Sequence, residues 1–96
     1  MKVEYHPQTV DDLLNAENYY SHIQLGLSQS FRAEVFHTIE RIRETPFLFA
    51  EVNGVRRALL MQFPFSVVYR ILNKDTIRIL LIRHHKRHPI FGNRRK

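Results

Sequence analysis

Near the end of this 96-residue chain stands "RHHKRH", in which His84, His85 and His88 alternate with Arg83, Lys86 and Arg87. An imidazole transfers a proton near neutral pH, and guanidiniums hold a phosphate and stabilise the negative charge that develops on it. Side by side they would serve RNA cleavage by attack of a 2′-hydroxyl. A metal site is the second chemistry to weigh. His84 and His88 would share a helical face, but Pro89 and the apolar run before them argue against a helix there. The chain has no cysteine, and the nearest acid in sequence is Asp75. No metal or other cofactor is expected. The third reading is a basic surface for a macromolecule. Residues 76–96 hold seven Lys/Arg and no Asp/Glu, whereas residues 1–75 hold eight Lys/Arg and nine Asp/Glu. Such asymmetry marks an electrostatic footprint for nucleic acid or for an acidic protein.

The remaining arginines divide by position. Arg56 and Arg57 are adjacent in a β-like run, so they point to opposite faces and cannot line one pocket. Arg70 shares a face with Ser66 and Val68. Arg83, Lys86 and Arg87 follow the last apolar run, and Arg94, Arg95 and Lys96 are terminal. One to three of these on a sheet surface would make a phosphate site, while arginines at strand edges also discourage edge pairing. Tyr20 falls on an apolar helical stripe and is expected in the core, with Tyr19 at its margin. There is no Gly-rich phosphate loop, and no serine or threonine has a catalytic neighbourhood.

These groups need elements to position them. "KVEY" predicts a short strand stopped by His6-Pro7. "TVDDLLNAENYYSHIQL" predicts a helix, with Thr9 and Asp12 spaced as a capping box, Leu13, Ala16, Tyr20 and Ile23 on one stripe, and Gly26 as its end. A second helix is expected from about Ser30 to Glu44, its apolar stripe Phe31, Val35, Ile39 and Ile42, stopped by Pro46. The two should form an antiparallel hairpin. After a turn at Asn53-Gly54 the period changes, and "VRRALLMQF", "FSVVYRIL" and "TIRILLIRH" predict three strands. The order is β-α-α-β-β-β, an α+β class. Both faces of the last two strands carry apolar residues, so both should be covered.

Length and composition predict one soluble domain over residues 1–96 with a basic C-terminal tail from about 84 to 96. The absence of cysteine excludes a disulfide framework and suits a reducing cytosol. The N-terminus has no apolar signal core, and no apolar run approaches the ~20 residues needed to span a bilayer. A cytoplasmic protein is expected.

Taken together, "YHPQTVDDLLNAENYY", "GVRRALLMQFPFSVVYRI" and "IRILLIRHHKRHPIFGNRR" resemble the RelE/ParE superfamily of bacterial toxins, the toxin halves of type II toxin–antitoxin modules often labelled plasmid stabilisation proteins. The resemblance covers nearly the whole chain. Its most specific parts are "RRALLMQFPFSVVY" and the closing H-x-x-R-x-P of His84, Arg87 and Pro89. It implies a helical hairpin packed on a twisted, mainly antiparallel sheet. ParE-like members block DNA gyrase without a catalytic site of their own; RelE-like members cut mRNA on the ribosome. RelE-like members often carry an arginine ahead of the Val-Tyr pair, where this chain has Ser66 just before Val67-Val68-Tyr69. They also use a proton-transferring aromatic or histidine near the C-terminus, where this chain has Phe91. Both departures, and the H-x-x-R-x-P ending, place the chain closer to the ParE-like branch. The resemblance therefore implies a toxin that arrests growth by binding gyrase or a related target. The alternative is a metal-independent mRNA endonuclease using His84, His85 and Arg87. The residues expected to bind target or antitoxin are Arg56, Arg57, Arg83, Lys86, Arg87, His88, Arg94 and Arg95. The implied partner in either case is a small acidic antitoxin with an extended segment that folds on binding.

Overall fold

A computed structural model describes residues 1–86 of the chain. Strand β1 (Lys2–Tyr5) leads into helices α1 (Gln8–Ser21) and α2 (Leu27–Glu44), then β2 (Glu51–Val52), β3 (Val55–Leu59), β4 (Phe65–Asn73) and β5 (Thr76–His84). The sheet order is β1-β5-β4-β3-β2, with β1 parallel to β5 and every other pair antiparallel. The expected β-α-α-β-β-β order stands, with β2 as a two-residue addition. Asn53 (φ 54°) and Gly54 (φ 81°) turn β2 into β3. Positive φ at both centre positions is what a two-residue hairpin needs, and Asn-Gly supplies it at least cost.

The helical stripes are buried as their spacing dictates. Phe31, Val35 and Ile42 on α2 are fully enclosed, and Leu13, Ala16 and Tyr20 on α1 nearly so. They meet Phe65, Val67, Tyr69, Ile77, Ile79 and Ile82 from one face of the sheet. Burial of each large aliphatic or aromatic side chain stabilises the fold by about 1.5–3 kcal/mol. Tyr20, Phe31, Phe63 and Phe65 pack with ring centroids 5.0–6.2 Å apart, mostly edge to face. That geometry suits the ring quadrupoles.

Five local expectations need correction. Thr9 and Asp12 do not form a capping box, since α1 starts at Gln8 and has no side-chain cap. The Thr9 hydroxyl instead donates to Leu80 O (3.1 Å), and an Asp12 oxygen accepts from Ile82 N (3.1 Å). Gly26 does not end α1 but stands directly before α2 with φ 82°, and α2 begins at Leu27 rather than Ser30. Ile23 lies beyond α1 and is exposed. Finally, β3 stops at Leu59 rather than running through Phe63, because both Glu34 carboxylate oxygens accept from Gln62 N and one also from Met61 N, which bends the chain ahead of Pro64.

Strand β5 is irregular at Leu80. Val68 pairs with Leu81 but Tyr69 pairs with Ile79, so Leu80 is the extra residue of a β-bulge. The bulge shifts the phase of the strand. Ile77, Ile79 and Ile82 face the helices, while Leu80 and Leu81 join Val68 and Val55 in a second apolar cluster. Among the described residues, no helix is long and apolar enough to cross a membrane.

Candidate functional site

Directly paired residues of neighbouring strands share a face, so the register assigns each basic side chain to a side. Arg57 pairs with Val68, Ser66 with Arg83, and Arg70 with Arg78, which in turn pairs with Glu4. All lie on the face turned away from the helices. Arg78 donates to Glu4 (3.2 Å), and both are partly exposed. Arg57 and Arg70 have no carboxylate partner among the described residues. Two arginines placed directly opposite on neighbouring strands repel each other, so this face gains from an anionic ligand. Arg57 was expected to bind target or antitoxin and Arg70 was placed on the face of Ser66 and Val68, whereas Arg78 was not expected to belong to the site. Arg78 joins them through the register, which sets it directly opposite Arg70.

Arg56 goes the other way, as strand alternation requires. Its guanidinium donates to Phe49 O (2.6 Å), lies 3.7 Å from Glu51 and covers the Phe47 ring at 5.5 Å. The same connection is held by Tyr69, whose hydroxyl donates to Pro46 O (2.5 Å). Burial pushes the Tyr69 hydroxyl up to about 12, against a smaller opposing pull from Arg56. Arg56 is thereby committed to the fold and holds the segment entering the sheet.

The histidines also separate. The His84 ring packs edge-on against Phe65 of the helix-side core, with centroids 5.0 Å apart, and its Nδ1 accepts from Lys86 N (3.1 Å). His85 sits over the other face, its Nε2 hydrogen-bonded to Ser66 Oγ (2.8 Å), while its backbone N donates to Pro64 O (2.9 Å). Ser66 is buried. It therefore orients the imidazole beside its cross-strand neighbour Arg83 rather than meeting a ligand itself. Lys86 is exposed in the turn after β5. Arg87, His88, Arg94 and Arg95 lie outside the described residues. Among the described residues no three His, Asp or Glu side chains gather as metal ligands would.

The structure thus places Arg57, Arg83 and His85 on one sheet face with Ser66, Arg70 and Arg78, and it turns Arg56 and His84 to the other side. One imidazole among guanidiniums on a sheet face can bind a phosphate or carboxylate. A concerted acid–base pair would need a second proton-transferring group on the same face.

The geometry defines a class of fold, a two-layer α+β domain with a helical hairpin on one face of its sheet and a row of arginines on the other. Within that class, the model of the ParE toxin family of type II toxin–antitoxin systems, parDE, matches residues 3–89, and the chain belongs to this family. Among solved structures, the chain is similar to one described as the chromosomal ParDE TA system from P. aeruginosa. The TM-score is 0.70 at 22% identity, over 88% of this chain and 95% of that one. That likeness is one of fold. Comparison with curated protein sequences gives no match.

Proposed function

We propose that this chain is the growth-arresting toxin of its module, acting in the cytoplasm by binding DNA gyrase or a related target, and that a cognate acidic antitoxin neutralises it. Membership of a toxin–antitoxin family implies the antitoxin partner. The observation that favours a binding mode is the separation of the two adjacent histidines. His84 packs on Phe65 in the helix-side core and His85 reaches Ser66 on the basic face. Among the described residues His85 is the one imidazole set on that face, which suits recognition of an anionic partner more than proton transfer in two directions. The basic face and the C-terminal positive charge are the surfaces that an acidic antitoxin segment would compete for.

The alternative, a ribosome-dependent mRNA endonuclease, draws on His85 beside Arg83 and on Arg87 after the last strand. Pulse-labelling of DNA and protein synthesis after tightly controlled induction of the chain alone separates the two. DNA synthesis should stop first while protein synthesis persists. An immediate stop in protein synthesis, with new internal mRNA ends, would replace the gyrase reading by the ribonuclease one. In that case changing His84, His85 and Arg87 together to alanine should abolish cleavage while ribosome binding remains.

A further inference from the structure

The far face of the sheet holds an apolar strip whose burial its own layer does not explain. Leu80 and Leu81 are fully enclosed and Val68 is 5% exposed, with Val55 packed against them. Both helices lie on the opposite face, where they pack on Ile77, Ile79 and Ile82. A sheet face with no layer over it leaves its side chains in water. Leu59, on the same far face but in β3, shows this at 50% exposure, and Arg57 beside it is exposed too. The cover therefore lies over β4 and β5 and stops short of β3.

The direction of the chain says what supplies it. After β5 the backbone turns, His85 N donating to Pro64 O, and the His85 ring comes down over the far face onto Ser66 Oγ (2.8 Å). Lys86 follows in a turn. Val68 stands two residues beyond Ser66 along β4, about 7 Å away. The chain continues as Arg87-His88-Pro89-Ile90-Phe91, and the stretch from Lys86 to Phe91 reaches up to ~17 Å. Ile90 and Phe91 are the first large apolar side chains after β5, and residues 89–93 around them carry no charge.

We propose that residues 87–96 fold back over the far face of the sheet, seat Ile90 and Phe91 on Val68, Leu80 and Leu81, and so screen the basic face until an anionic partner displaces them. The same segment brings Arg87, Arg94, Arg95 and Lys96 to a face that already holds Arg57, Arg70 and Arg83. Apolar contact holds the segment down while like charge pushes it off. An acidic ligand that displaces it gains the arginines of the sheet and those of the freed segment together. The screening rests on the reading of this face as a binding surface; the seating of Ile90 and Phe91 does not.

Methyl NMR of the full chain tests the seating. Among the described residues no aromatic side chain belongs to the cluster of Val55, Val68, Leu80 and Leu81, so a ring there reports Phe91. Nuclear Overhauser contacts should join the Phe91 ring to the Val68 and Leu81 methyls and persist on dilution. Phe91→Leu should move those methyl resonances with the circular dichroism unchanged. Absence of the contacts overturns the proposal, and so do contacts that vanish on dilution, which would assign the cover to a second copy. Titration with a poly-glutamate peptide at low salt tests the screening. Ile90→Ser combined with Phe91→Ser keeps every charge and should bind the peptide ~10-fold more tightly, as follows when the open face is about one-tenth populated. Equal or weaker binding by the double variant overturns the screening even where the contacts stand. A peptide that binds neither chain overturns it together with the reading of the basic face.

Discussion

Tyr69 shows how one side chain can hold a connection that sequence periodicity does not describe. Its ring is fully buried and edge-on to Phe49 (centroids 6.3 Å apart), while its hydroxyl reaches Pro46 O and fixes the chain between α2 and β2. Tyr69→Phe keeps the ring but leaves that carbonyl without its donor. The expected loss is about 1–3 kcal/mol of stability, read by urea denaturation with an unchanged slope. The alkaline limb carries a second signature. The folded hydroxyl is pushed up to about 12 from an ordinary value of 10.0, so the folded state binds its proton more tightly than the unfolded state. Its contribution is fully present below pH 10 and is lost as pH rises toward 12. Wild type should show this step in denaturation midpoints across that range, and Tyr69→Phe should lack it. The alternation that put Tyr69 in the core was legible in the sequence. Its hydrogen bond was not, because Pro46 lies 23 residues away and only the packed fold brings them together.

At the scale of elements, the joint between α1 and β5 matters most. Strand β1 pairs with β5 only as far as Ile79, so the edge of β5 beyond it needs other partners. The Thr9 hydroxyl donates to Leu80 O, and Asp12 accepts from Ile82 N, so α1 satisfies the edge exactly where the bulge disturbs the ladder. Asp12→Ala should strand the Ile82 amide and cost about 1–3 kcal/mol. Asp12→Asn, which keeps an acceptor oxygen, should cost much less. Hydrogen exchange at Ile82, faster in the alanine variant than in the asparagine one, checks the cause. The same joint explains why element types were readable while details were not. Helical stripes and strand alternation are local patterns, and the hairpin, the Asn53-Gly54 turn and the last two strands follow from them. The capping-box reading of Thr9 and Asp12 failed because a short polar side chain near a helix start can bond its own backbone or a neighbouring strand equally well, and only tertiary packing decides. The bulge at Leu80 likewise leaves no mark in a continuous apolar run.

For the whole molecule, the decisive property is an uneven spread of charge, with six of the nine Asp/Glu in residues 8–44 and Arg57, Arg70, Arg78 and Arg83 on the far side of the sheet. The end of the chain announced part of this, because residues 76–96 hold no acid at all. What could not be read was which arginines share a face with His85, since that depends on register and on the phase shift at Leu80. Arg57 and Arg70 are the informative pair: neither has a carboxylate partner among the described residues, and Arg70 stands directly opposite Arg78. If an acidic antitoxin segment docks on this face, Arg57→Ser with Arg70→Ser should weaken the complex ~10–100-fold at low salt and flatten its salt dependence, chiefly by slowing association. Adding Arg83→Ser and Lys86→Ser should extend both effects. Arg56→Ser is the contrasting control. Arg56 is spent on Phe49 O, Glu51 and the Phe47 ring, so its loss should lower thermal stability without changing the salt slope of antitoxin binding. Titration calorimetry over a range of salt concentrations reads all of these variants on one scale. A slope unchanged by the double substitution would move the docking site off the sheet face and onto residues 87–96.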